Sequence, residues 1–211
     1  MAQRDVTDGD ASGGAADGLR ARAEAFPWPV GLAAGVGAFI VGYLAVVGYM
    51  LVGIAPLQGG IVDRLVGVGF IFYNAHTIPV VSADPTVISR IPNPVSGAAI
   101  PWAYYGIPVV ALTVAGGLFT YWYRPPEQDA FVAVATGAAM TIGYLLLALV
   151  GTFAFTQFGV LYPDRLWTLG AALAYPLVCG TLGSIVAQPS LAGETENEAG
   201  TERSGGEGGD G

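Results

Sequence analysis

The sequence predicts an all-α, polytopic bundle of transmembrane helices, and three observations carry that expectation. No charged residue interrupts the chain between Asp129 and Asp164, and Val132 to Phe155 alone supplies the roughly 20 apolar residues a helix needs to cross ~30 Å of hydrocarbon. The mean hydropathy of the 211 residues is +0.57, too apolar for a domain whose whole surface meets water. Charge, finally, collects at the ends: of 16 acidic residues, five lie from Asp5 to Glu24 and six from Glu194 to Asp210, and the others fall between apolar blocks. Hydrocarbon is therefore the solvent expected for the blocks, and water for the ends and connectors.

Taken in order, residues 1–25 mix Asp, Gly, Ala, Ser and Arg without apolar periodicity. They bury too little surface to offset the entropy of ordering, so a disordered tail is expected. Arg20 and Arg22 precede an apolar block that is too long for a secretory leader and has no small-residue cleavage site, which reads as an uncleaved signal anchor. That block, about 30–54, is the first span, opened by Pro27, Trp28 and Pro29. Gly31, Gly35, Ala38, Gly42 and Ala45 recur at spacings of four, three, four and three, so they share one narrow stripe of the helix. A stripe of small residues lets another backbone approach closely.

The next stretch admits two readings. Leu65 to Ala83 is uncharged and just long enough to cross, yet it holds Gly67, Gly69, Asn74, His76 and Pro79, several of them expensive at the bilayer centre. An amphipathic or re-entrant helix over about 61–78 fits better, which makes four crossings; a full crossing would make five. Asp84 to Gly97 has three prolines and two charges and reads as an irregular surface connector. A secure span follows over about 101–122. Twenty residues separate Trp102 from Trp122, a distance of ~30 Å in a helix, which matches the two aromatic belts of a membrane. Tyr104 and Tyr105 read as further interface anchors. A polar turn from Tyr123 to Asp129 leads into the span 130–156, and the loop Gly159 to Arg165 into the last, 166–187, where Pro176 should bend the helix. Residues 189–211 are rich in Gly, Glu and Ser and are again expected to be disordered. The transmembrane domain is thus 26–188, between two acidic tails.

Orientation follows from arginine. With four crossings, Arg20, Arg22 and Arg124 face Arg64, Arg90 and Arg165 across the membrane, a tie; with five, four Arg lie inside against two. The polar content of Leu65 to Ala83 outweighs that difference, so four crossings are retained, in the cell membrane with the N-terminus cytoplasmic.

The chemistry on offer is sparse. A net charge of -8 argues against nucleic acid as a partner. All eight basic residues are Arg, and lysine-free, acid-rich ends fit a salt-adapted organism, because a Debye length of ~3 Å or less removes most repulsion between carboxylates. Cys179 is the only cysteine and reads as a packing residue. His76 is the only histidine, too few for a metal centre, so neither a metal nor another cofactor is expected. Tyr73, Asn74 and His76, within GVGFIFYNAHTIP, form the one cluster of hydrogen-bonding groups in an apolar setting and are the candidate functional residues. His76 is first a structural residue bonding a loop carbonyl, and second a proton relay. Thr113, Thr136, Thr141, Thr152 and Ser184 are expected to bond the preceding turn of their own helices. No serine-hydrolase elbow, phosphate loop or mid-membrane charge is present. The expectation is a non-enzymatic scaffold or subunit that meets the lipid bilayer and packs with itself or another membrane protein through small-residue faces. The alternative is a small channel or transporter subunit lined by Thr, Tyr and Asn side chains.

The polar acidic head, the Gly/Ala-striped first span, the segment VGFIFYNAH from Val68 to His76, the Pro-rich connector and three further spans together resemble a family of haloarchaeal membrane proteins of unknown function. The resemblance covers most of Val30 to Val186, with FYNAH its most specific part. It implies a multi-pass membrane protein and carries over no activity and no functional residue.

Overall fold

A computed structural model of the protein describes residues 11–53, 60–83, 101–123, 129–157 and 160–205. Six helices occur in these residues: α1 (Ala11–Ala25), α2 (Trp28–Gly53), α3 (Ile61–Ala75), α4 (Pro101–Tyr123), α5 (Ala130–Ala154) and α6 (Arg165–Gly205). Two three-residue strands, β1 (Val80–Ser82) and β2 (Leu161–Pro163), pair antiparallel with Val80 opposite Pro163. Four helices are long and apolar enough to cross a membrane: Trp28–Leu51, Trp102–Tyr123, Ala130–Ala154 and Arg165–Pro189. The architecture is the expected all-α bundle of four spans.

α5 is its centre. In α5 61% of the most apolar window is buried, against 33% in each other span, so α5 is wrapped by protein while α2, α4 and α6 turn one face outward. Close backbone approach makes this possible. A Cβ at Gly35 would run into the Met140 carbonyl of α5, and one at Gly143 into the Leu32 carbonyl of α2. The same device joins α4 to α6, where a Cβ at Gly183 would meet the Thr113 carbonyl. The glycine stripe of the first span is therefore used inside the chain: Gly31 and Gly35 lie on α5, Gly42 faces Phe72 of α3, and Ala38 is buried. Only Ala45 of the five is exposed.

Two spans, α5 and α6, begin at polar caps. The Asp129 side chain accepts from Val132 N at 3.1 Å, and that of Asp164 from Leu166 N at 2.9 Å and Trp167 N at 3.1 Å, satisfying donors that the first turn of a helix leaves free. Trp102, Trp122 and Trp167 stand exposed near helix ends, as an interface belt requires. Trp28 is half-buried and donates to the Ala23 carbonyl at 2.7 Å.

Three expectations meet a different outcome. Residues 11–25, read as disordered, form α1, because Trp28 and the Arg22–Asp129 ion pair fasten that segment to the bundle. The last helix does not stop near 187 but runs on to Gly205 through Pro189. Tyr104 is buried at 1% exposure, its ring 5.0 Å from Tyr49 of α2, and is not an interface anchor. The connector Asp84–Gly97, the turn residues 124–128 and residues 1–10 and 206–211 lie outside the described residues.

A re-entrant hairpin and its buried histidine

α3 enters the bundle and does not cross it. Its mouth is fixed by Gly60 N, which donates to the Asp63 carboxylate at 3.1 Å, and by the Tyr43 hydroxyl of α2, which donates to the Leu65 carbonyl at 3.1 Å. From there its partners step down α5: Gly69 faces Phe155, the Tyr73 hydroxyl donates to the Ala148 carbonyl, and His76 meets Tyr144. The chain then reverses. His76 N and Ile78 N both donate to the Tyr73 carbonyl, at 2.9 and 3.0 Å, and Thr77 N donates to the Asn74 carbonyl at 2.9 Å, which closes the helix end. β1 returns along β2, in the α5–α6 connection, so the chain leaves at the end where it entered. The amphipathic-or-re-entrant helix is thus re-entrant.

Depth follows from helix geometry. Tyr144 lies ten residues before Ala154 and Tyr175 ten residues after Arg165. At 1.5 Å per residue both are ~15 Å from that end of the bundle, about halfway through ~30 Å of hydrocarbon. His76 sits between them, 2% exposed, its ring centroid 5.2 Å from Tyr175 and 4.6 Å from Phe72.

The protonation pattern of the ring can be assigned from its neighbours. Nδ1 lies 2.8 Å from the Phe72 carbonyl, which only accepts, so Nδ1 carries the hydrogen. Nε2 is then the acceptor, and the Tyr144 hydroxyl donates to it. Both nitrogens are satisfied by a neutral imidazole.

The three residues singled out in the sequence are side by side at the hairpin tip, but they serve different partners. Tyr73 reaches the α5 backbone, His76 reaches Tyr144, and Asn74 turns back onto its own helix, donating to the Phe70 carbonyl at 2.7 Å. Thr77, at the turn, has φ 62°, a left-handed conformation usually left to Gly or Asn and strained for a β-branched side chain. Its hydroxyl bonds Tyr175. Sequence reasoning missed Tyr144 and Tyr175, since each sits alone in an uncharged span; the available signal was a phenol placed where a helix meets mid-membrane. Thr136, Thr141 and Thr152 do bond their own helices, each at 2.8 Å, whereas Ser184 accepts from Thr120 of α4 at 2.7 Å and Thr113 bonds Cys179. The hydroxyl of Tyr104 is buried with no partner among the described residues. Among those residues no three His, Cys, Asp or Glu converge on a point that could hold a metal ion.

Two further features complete the surface. An apolar groove of about 1180 Å³ opens sideways between α2 and α4, floored by Ala34, Gly37 and Ala111 and walled by Val41, Val110 and Val114. At the N-terminal end of the bundle Arg22 pairs with Asp129 at 2.7 Å and lies 4.7 Å over the Phe131 ring. The Arg22 hydrogen bond, helped by the Val132 amide, holds the Asp129 carboxyl below its ordinary value.

All four spans and the hairpin fall within one match to a family model, DUF7978, over residues 15–190. The chain belongs to this family of unknown function. No curated protein and no solved structure matches it. The family names no reaction.

Proposed function

We propose that the protein is a non-enzymatic subunit of a membrane assembly, packing through its α2–α4 face with a second copy or another membrane protein. The observation that carries this reading is the α2–α4 groove, an apolar surface with small residues on its floor, open at membrane depth. Small residues favour helix association in lipid, where no hydrophobic force drives it. The glycines of α2 that look most suited to this role are already against α5, so the contact face is the one carrying Ala33, Gly37 and Ala45. A structural part for the polar interior is supported by the partners of Tyr73, Asn74 and His76, each of which bonds within the chain.

Cross-linking tests the reading. With Cys179→Ala as background, Val110→Cys in native membranes should give a discrete adduct with a bifunctional thiol or amine reagent, and Val150→Cys, exposed on α5, should not. Equal behaviour at the two positions, with no adduct, contradicts it. The channel reading draws on the hydroxyls buried along α4 and α6, Thr120 and Ser184 among them, and predicts solute flux into vesicles that Asn74→Leu abolishes. The N-terminus is placed in the cytoplasm as that of an uncleaved signal anchor with Arg20 and Arg22 ahead of its first span, the count over all four-span connections being a tie, and the lysine-free, acid-rich composition points to a salt-rich habitat. An unfolding temperature in detergent that rises between ~0.1 and ~2 M salt, as self-repulsion is screened, supports that habitat, and a fall opposes it.

A further inference from the structure

We infer that the His76–Tyr144 hydrogen bond is a proton-sensitive latch that holds the re-entrant hairpin in the bundle, and that protonating His76 frees the hairpin tip from α5. Geometry carries the inference. His76 is at the innermost turn of the hairpin, so whatever acts on its ring acts on the tip, and the adjoining Thr77 is held at a left-handed φ of 62°. Strain of that kind persists only where the surroundings enforce it, and it collects at switching segments. At the mouth the hairpin is held to the bundle by bonds that do not involve the imidazole, Tyr43 to Leu65 and the β1–β2 pairing, while Gly60 to Asp63 caps its first turn. The mouth is the hinge and the tip the moving part.

Every group facing the ring is neutral. Tyr73 is on its own helix, Tyr144 on α5, and Tyr175 and Cys179 on α6; α2 contributes Phe39, packed against Phe72 and Tyr144, and α4 contributes Tyr105 and Thr113 beside Tyr175 and Cys179. Among the described residues no carboxylate stands there to receive an imidazolium. Nε2 accepts from Tyr144 in the neutral ring; once protonated it can only donate, which leaves the Tyr144 hydrogen without its acceptor and places an unpaired charge in apolar surroundings. The sign is then fixed. The released tip swings out to the water at the hairpin's mouth, where its imidazole titrates near pH ~6.5, whereas the seated ring has no charged partner to stabilise a second proton, so the seated form is fully favoured above ~6.5. Its ratio to the released form falls about tenfold for each pH unit below that, until the seated ring protonates as well.

The test uses the full chain in proteoliposomes with Cys179→Ala and Asn74→Cys, the new thiol being buried at the tip. Its rate of reaction with a water-soluble maleimide is divided by that of the exposed Ile61→Cys, which removes the pH dependence of the thiol itself. The normalised rate should rise about tenfold between pH 7.5 and ~5.5 with His76 present, and stay flat with His76→Gln, which still accepts from Tyr144 but cannot take a charge. Tyr144→Phe keeps the titrating ring and removes the latch, so it should raise the rate at pH 7.5 and retain the slope. A flat profile with His76, an equal rise in His76→Gln, or an unchanged rate at pH 7.5 in Tyr144→Phe overturns the inference.

Discussion

Two glycines two residues apart on α2 set the sharpest contrast at the level of single residues. A Cβ on Gly35 would meet the Met140 carbonyl, and one on Gly37 would meet nothing within 4 Å. Gly35→Ala forces the α2 and α5 backbones apart and should destabilise by roughly 1–3 kcal/mol, whereas Gly37→Ala should be neutral or gain about 0.5–1 kcal/mol from helix propensity. Thermal unfolding in mild detergent checks both, and equal effects would contradict the α2–α5 contact. Tyr144→Phe leaves Nε2 of the buried His76 without a donor and should cost about 1–3 kcal/mol in the same assay at neutral pH. The sequence made His76, Tyr73 and Asn74 conspicuous because polar groups stood in an apolar run. It left Tyr144 and Tyr175 inconspicuous, a phenol at mid-membrane depth being their one signal, since which face of a uniformly apolar helix looks inward is set by packing, not by periodicity.

Individual elements depend on their ends. Asp129 both caps α5 and pairs with Arg22, so Asp129→Ala should cost about 1 kcal/mol from the cap, with the half-exposed ion pair adding little. Its pH dependence has a definite sign. The Asp129 carboxyl titrates lower in the folded chain than in the unfolded one, so its contribution is fully present above the unfolded value near ~4 and is lost as pH falls through the folded value. Unfolding temperatures measured from pH 6 down to ~3 should therefore fall less steeply in Asp129→Ala than in the wild type, and parallel curves would contradict the pairing. The four spans were legible from length and composition because lipid demands both. α1 was not, since its order comes from Trp28 and Arg22 reaching partners that no local pattern reveals. The β1–β2 pairing escaped for the same reason: three residues carry no period, and their register follows from where α3 turns back.

For the whole molecule, the hairpin decides the count of crossings. Four spans with a re-entrant α3 bring residues 61 and 83 to one side of the membrane, while a fifth crossing would separate them. The polar residues Asn74 and His76 argued for the first arrangement by their cost in hydrocarbon, and the chain meets that cost by burying both, His76 against Tyr144 of α5 and Tyr175 of α6 and Asn74 bonded to the Phe70 carbonyl of its own helix. Labelling of intact and permeabilised cells with a membrane-impermeant maleimide, using Ile61→Cys, Ala83→Cys and Asp17→Cys each in the Cys179→Ala background, tests this most directly. The four-span bundle predicts that the cysteines at 61 and 83 react from one side and that at 17 from the other. Reaction of 61 and 83 from opposite sides would contradict it.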